Sequence, residues 1–181
     1  YQRSFPISDD DDQLRVIKDA LKALHYDEKQ LPPKEIRGKI SDAKNRMLSP
    51  DEWFQESPRD YRSQQSHDVM RYYEERLKNA NALDFDDLLL KTYHLLEDDA
   101  EVREYYANKF QYIHIDEFQD TDPVQMEIFR KFIENEDTNS FTVVGDINQS
   151  IYGFRGSNKN YFKELILKSY RKQNGKNYLT N

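Results

Sequence analysis

The chain has 181 residues and a net charge of −7, is 36% hydrophobic and 34% charged, and contains no cysteine. Those figures allow one domain or two small ones, helix-rich and built on a modest core. They exclude disulfides and thiolate metal sites, argue against charge-driven, nonspecific nucleic-acid binding, and fit a reducing, cytoplasmic setting.

No apolar run approaches the roughly 20 residues that span a bilayer, so no membrane association is expected. The start at Tyr1 carries neither an initiator Met nor a charged, apolar leader, and reads as the beginning of a piece of something longer. His25, His67, His94 and His114 show no metal-ligand spacing, and no metal is expected on them.

Up to about residue 82 the pattern is helical. Asp9 to Asp12 precede a stripe of Leu14, Ile17, Leu21 and Leu24, where acids favour a helix N-terminus. Pro33 can open a second helix, with Ile36, Ile40, Ala43 and Met47 on its inner face. Ser49-Pro50-Asp51-Glu52 has the form of a capping box, and Trp53 and Phe54 then anchor a short helix. A longer helix follows with Val69, Tyr72 or Tyr73, Leu77 and Ala80 inward. Asp84 caps the next helix, and Asp86 and Asp87 suit its first turn. Three acids so close also raise metal binding, but capping accounts for them more simply. The run Leu88-Leu89-Leu90 to Leu95-Leu96 implies burial on more than one side. A second acidic cluster, Glu97 to Asp99 with Glu101, follows it.

From about residue 110 the order becomes strand, helix, strand, helix. The strands fall near 111–116 and 140–145, one helix runs from Asp122-Pro123 to about Ile133, and another begins near Asn158. Such alternation predicts parallel strands with crossover helices, and chemistry beyond the strands' carboxyl ends. Asp116, Glu117, Asp146 and Gln149 fall there. The domain boundary is placed near residue 82. Beyond the second strand, Lys159, Lys163, Lys168, Arg171, Lys172 and Lys176 face only Glu164, which reads as a solvated helix face or a local basic surface.

Tyr112 to Thr121 form a short apolar strand stopped by adjacent carboxylates. In phosphoryl transfer to water, one carboxylate holds magnesium and a second orients and deprotonates the water. Asp116 and Glu117 can divide those roles because adjacent side chains diverge; an ordinary Asp-Glu turn is the plain alternative. The Gln149 amide can donate to a γ-phosphate oxygen while accepting from the attacking water, or it can simply bond to backbone. Tyr152 and Phe154 lie on a short loop with Gly153 and Gly156. Rings there can stack on unpaired bases, or pack into a core, which the loop disfavours. Arg155 can meet phosphate, stack, or pair with a site carboxylate.

The pair I-D-E-F-Q-D-T and V-V-G-D-x-x-Q-S-I-Y-G-F-R-G closely resembles motifs II and III of superfamily 1 DNA helicases of the UvrD/PcrA/Rep type. Phe5 to Gln13, Ala43-Lys44-Asn45 with Leu48-Ser49-Pro50, and Ala82 to Leu89 resemble the segments before motif II, so the likeness covers essentially the whole chain. It implies an α/β fold of the P-loop NTPase class, a partial RecA-like parallel sheet with an all-helical inserted subdomain. Residues 1–82 would be the helical subdomain 1B, and residues 83–181 part of the ATPase subdomain 1A. It also implies an ATP-dependent 3′-to-5′ DNA helicase and translocase that uses ATP and Mg²⁺ and acts on single-stranded and junction DNA.

By that resemblance Asp116 is the Mg²⁺ carboxylate, Glu117 the general base and Gln149 the γ-phosphate sensor. Tyr152 and Phe154 flank bases of the tracked strand, with Arg155 beside them. The family more often has Trp where Phe154 stands; the smaller ring should still stack. No G-x-x-x-x-G-K-[ST] occurs in these residues, nor a T-N-K-A-A type segment, nor motifs IV to VI with their arginine fingers. Leu179-Thr180-Asn181 resembles the approach to motif IV. The chain alone is therefore expected to be inactive. Two other readings are a RecB/AddA-type helicase-nuclease subunit and a catalytically inert DNA- or protein-binding module.

Overall fold

Two compact units divide the chain, residues 1–100 and 101–181. The structure, a computed structural model, describes residues 4–133 and 140–145. In the first unit β1 (Ile7–Ser8) is followed by α1 (Asp10–Ala23), α2 (Pro33–Asn45), α3 (Pro50–Glu56) and α4 (Tyr61–Asn79). Then come β2 (Leu83–Asp84) and α5 (Phe85–Asp98). β1 pairs with β2 in parallel, Ile7 opposite Leu83 and Ser8 opposite Asp84.

The helix starts follow the sequence chemistry. Asp9 accepts from the Asp12 amide, Pro33 opens α2, and Asp60 accepts from the Ser63 amide. Ser49 and Glu52 form a complete capping box. The stops do not rely on glycine. His25, Met47 and Asn81, each just past a helix, take left-handed backbone at φ 58°, 58° and 51°. After each of them the next amide reaches back to close the last turn: Tyr26 to Leu21 O at 2.8 Å, Leu48 to Ala43 O at 2.8 Å, Ala82 to Leu77 O at 2.9 Å. These three bonds satisfy carbonyls that the helix ends leave open, and each joins two residues of the core cluster or its rim.

Ile17, Leu21, Ile36, Ile40, Val69, Tyr73 and Leu77 form the centre of that core. Burying a side chain of this size contributes about 1.5–3 kcal/mol. Three expectations need correction. The buried face of α1 is Gln13, Ile17, Ala20 and Leu21, with Leu14 only half-buried. Met47 lies past α2 in its left-handed stop, off the helical stripe. Ala80 caps α4 and is exposed. α5 buries Asp87, Leu90 and Leu96, which at 3.6 residues per turn spread over more than one side of the helix as expected, while Phe85 and Leu95 are 56% and 50% exposed.

Lys44 carries a buried long-range charge cluster of this unit. Its ammonium, 4% exposed, lies 2.7 Å from Asp84 Oδ2, 3.0 Å from Asp87 Oδ1 and 3.0 Å from Glu74 Oε1. The Tyr73 hydroxyl donates to Asp84 Oδ2 at 2.8 Å. Asp84 and Asp87 also cap α5 reciprocally, through Asp87 N to Asp84 Oδ1 at 2.8 Å and Asp84 N to Asp87 Oδ2 at 3.2 Å. The acids thus cap a helix and neutralise a cation that joins α2, α4 and α5. Burial opposes the charged ammonium, but Glu74, Asp84 and Asp87 outweigh it and hold the Lys44 pKa above the ordinary lysine value. Burial, with Asp84 beside it, pushes the Tyr73 hydroxyl above the ordinary tyrosine range.

In the second unit α6 (Ala100–Lys109, its first residue closing the first unit) leads to β3 (Tyr112–Ile115) and a 3-10 turn at Phe118–Asp120. Then come α7 (Pro123–Ile133) and β4 (Ser140–Val143). The strands pair in parallel, Tyr112 opposite Ser140 through Ile115 opposite Val143. A parallel pair needs a crossover, and α7 supplies it. Asp122 opens α7 with its own box, Gln125 N to Asp122 Oδ1 at 3.0 Å and Asp122 N to Gln125 Oε1 at 3.1 Å. β3 is buried only at Ile115, and Tyr112 is 71% exposed. Among the described residues no helix is long and apolar enough to cross a membrane.

Replacing Lys44 by Met should destabilise the chain by about 3–5 kcal/mol, because Asp84 and Asp87 stay buried without their cation. Urea unfolding of Lys44→Met against the native chain measures this. A loss below about 1 kcal/mol would show that water, not Lys44, satisfies the acids.

Candidate functional site

The carboxyl end of the β3–β4 pair has a specific geometry. Val144 continues the ladder past β4: its amide donates to Ile115 O at 2.8 Å, and its carbonyl accepts from Phe118 N at 3.1 Å. Ile115 and Phe118 are both buried. With both held by one residue of the neighbouring strand, Asp116 and Glu117 between them are looped out, and both are exposed. The two carboxylates therefore stand beyond the strand end on a short, doubly anchored loop.

Glu117 makes the loop possible by taking left-handed backbone, φ 50° and ψ 40°, at the start of the 3-10 turn. The turn closes through Asp120 N to Glu117 O at 2.9 Å. A non-glycine residue pays steric cost there, of order 1–2 kcal/mol, and such strain concentrates at functional sites. Asp116 Oδ1 accepts from the Glu117 amide at 2.9 Å, which fixes the Asp116 carboxylate. Its other oxygen has no protein partner among the described residues.

Gln119, 8% exposed, is the side chain that sequence reasoning left without a role. Its Nε2 donates to Glu117 Oε2. On its other side it meets Gly145: a Cβ at Gly145 would come within 2.6 Å of Gln119 Oε1 and within 3.1 Å of Phe118 N. A side chain at Gly145 would have to displace the Gln119 amide and shift Phe118, so the close approach of the two strand ends favours glycine there. The available signal was the glutamine two residues after the acid, paired with the glycine ending the second strand.

Magnesium keeps several waters and takes one or two carboxylates with substrate phosphate. Asp116, fixed through one oxygen with the other open, fits that requirement. Among the described residues no group of three or more acids or histidines is placed to hold a metal by itself. Asp146, Gln149, Tyr152, Phe154, Arg155, the helix expected near Asn158 and the basic stretch from Lys159 to Lys176 lie outside the described residues.

Residues 1–169 match the model of the UvrD/REP helicase N-terminal domain. Over 156 residues the chain is 44% identical to a protein of Staphylococcus epidermidis named ATP-dependent DNA helicase PcrA, covering 86% of this chain and 21% of that protein. It is 45% identical over 156 residues to the protein of the same name in Staphylococcus aureus, again covering 86% of this chain and 21% of the relative. The chain therefore spans about a fifth of the length of these curated relatives.

The left-handed Glu117 yields a stability prediction. Glu117→Gly should unfold no earlier than the native chain, because glycine takes this backbone without strain. Glu117→Val should lose about 1 kcal/mol or more, since a β-branched residue fits worst there. Equal stability of the two variants in urea unfolding would show that the position carries no backbone strain.

Proposed function

The chain belongs to the UvrD/REP helicase family, and from that premise we propose that it is a segment of an ATP-dependent 3′-to-5′ DNA helicase and translocase. The observation that carries this reading is the doubly anchored loop presenting Asp116 and Glu117 beyond the parallel strands. Residues 1–82 are assigned to the helical subdomain 1B, and residues 83–181 to the RecA-like ATPase subdomain 1A. The PcrA relatives favour this type over the RecB/AddA-type subunit. Its partners are single-stranded and junction DNA, and its place the cytoplasm.

In this reading Asp116 would hold Mg²⁺ through water, and the ion would supply positive charge against the phosphates. Glu117 orients the attacking water and accepts its proton. Gln149 contacts the γ-phosphate, and Tyr152 and Phe154 stack on bases of the tracked strand, with Arg155 as a further DNA-binding residue. These last four roles rest on the sequence motif. Hydrolysis depends on parts that act together, so this chain by itself, without a Walker lysine or arginine fingers, should not turn over ATP.

In the full-length protein Glu117→Gln should lower kcat about 10²–10⁴-fold while nucleotide binding persists, because the shape stays and only the base goes. Single-turnover ATP hydrolysis and nucleotide titration on one preparation test this. Near-native kcat would make Glu117 structural.

Phe154→Ala in the same protein should reduce DNA unwinding more steeply than hydrolysis. The lost ring removes about 1–3 kcal/mol of stacking per base and leaves the carboxylates untouched. Unwinding, ATPase, single-strand affinity and melting temperature together decide it. Lower stability with an unchanged ratio of unwinding to hydrolysis would assign Phe154 to the core instead.

A further inference from the structure

We infer that Gln119 is the positioning residue of the hydrolytic site, holding the Glu117 carboxylate through its Nε2 while Gly145 confines its other end. The inference rests on the base role proposed for Glu117, and adds a residue to which no role has been given.

Glu117 is exposed and stands on a looped-out, left-handed residue. An exposed glutamate side chain has several rotatable bonds and, left to itself, samples many rotamers. A base must instead point at one water, since misplacement by about 1 Å can cost roughly 100-fold in rate. Gln119 is the group that the structure sets against this freedom. It is 8% exposed, so its own rotamer is fixed by packing, and its amide donates to Glu117 Oε2. That leaves the second oxygen of Glu117 to face the water.

The amide is held from behind as well. Gly145 lies directly after Val144, whose carbonyl receives Phe118 N at 3.1 Å. A methyl group at Gly145 would sit 2.6 Å from Gln119 Oε1 and 3.2 Å from Phe118 Cβ. A larger residue at position 145 would therefore push against the oxygen end of the Gln119 amide, whose nitrogen end holds Glu117. A shift of the second strand end relative to the first would move Gln119 and, with it, Glu117. The orientation of the base is thereby tied to the backbone at Val144 and Gly145.

The test uses the full-length protein with Gln119→Met, Gly145→Ala, Glu117→Gln, and Gln119→Met combined with Glu117→Gln. Methionine keeps the length and volume of Gln119 and removes its donor. Gln119→Met should lower kcat for ATP roughly 10–100-fold while nucleotide affinity changes less than about 3-fold. Gly145→Ala should do the same by pushing the amide off Glu117. In the Glu117→Gln background, Gln119→Met should lower the residual rate no further, because no base is left to position, and its shift in melting temperature should be smaller than in the native background, because the Gln119 amide then meets a neutral acceptor instead of a carboxylate.

Native kcat in Gln119→Met, with Glu117→Gln inactive, would overturn the inference and leave the base role standing. An equal loss in both backgrounds would overturn it too, by showing that Gln119 acts independently of Glu117. Near-native kcat in Glu117→Gln would remove the base role itself, and this inference with it.

Discussion

The helical unit depends on a single buried ammonium. Lys44 on α2 meets Glu74 of α4 and Asp84 and Asp87 at the start of α5, all within 3.0 Å. An isolated buried charge is costly, and so are two buried carboxylates without a counter-charge. Each partner is tolerable only because the others are present, so the three helices must come together in one arrangement. Apolar packing alone would permit small rotations of α2 against α5; a cation that must touch particular carboxylates does not. The same carboxylates cap α5 and tie to the Tyr73 hydroxyl, so helix start, core and charge balance are settled by one set of contacts.

The second unit uses a different device for a different purpose. Its parallel pair is short, and what matters is how the ladder ends. One residue, Val144, bonds on both sides of the Asp116–Glu117 step. The backbone between is forced out, and the acid side chains leave the plane of the pairing. Burial of Ile115 and Phe118 on either side anchors the loop, which lets Glu117 hold a left-handed conformation it would not choose. Rigidity is thus supplied by apolar neighbours and spent, in the form of backbone strain, at Glu117.

Much of this was legible in the sequence where the signal is local. The N-terminal caps at Asp9, Ser49 and Asp84 follow from side chains that accept backbone amides within one turn, so four residues suffice to see them. The strand–helix–strand order and the placing of Asp116 and Glu117 at a strand end were likewise readable from period and composition. The helix stops were not, because His25, Met47 and Asn81 take the conformation usually given to glycine. They do so for a tertiary reason: the following Tyr26, Leu48 and Ala82 pack against the core. Met47 was misplaced on the inner stripe for that cause. The Lys44 cluster was equally hidden, since Lys44 and Asp84 lie 40 residues apart. Each looks like an ordinary charge until the fold brings them together.

The contrast between the two acid groups shows what decides whether carboxylates stabilise or react. Asp84 and Asp87 are closely spaced acids, as Asp116 and Glu117 are, and composition alone does not separate the pairs. Their surroundings do. The first pair is 1% and 2% exposed, with a lysine, a tyrosine hydroxyl and backbone amides against its oxygens. Those contacts leave it little capacity to accept a proton or a metal. The second pair is exposed, and its protein contacts hold one oxygen of each residue, through the Glu117 amide and the Gln119 side chain. That leaves acceptor capacity directed outward. Burial against a counter-charge makes a carboxylate part of the scaffold, and exposure with one oxygen held leaves it acceptor capacity. That half-finished coordination is held in place by the ends of the parallel strands, through Val144 on both sides of the Asp116–Glu117 step.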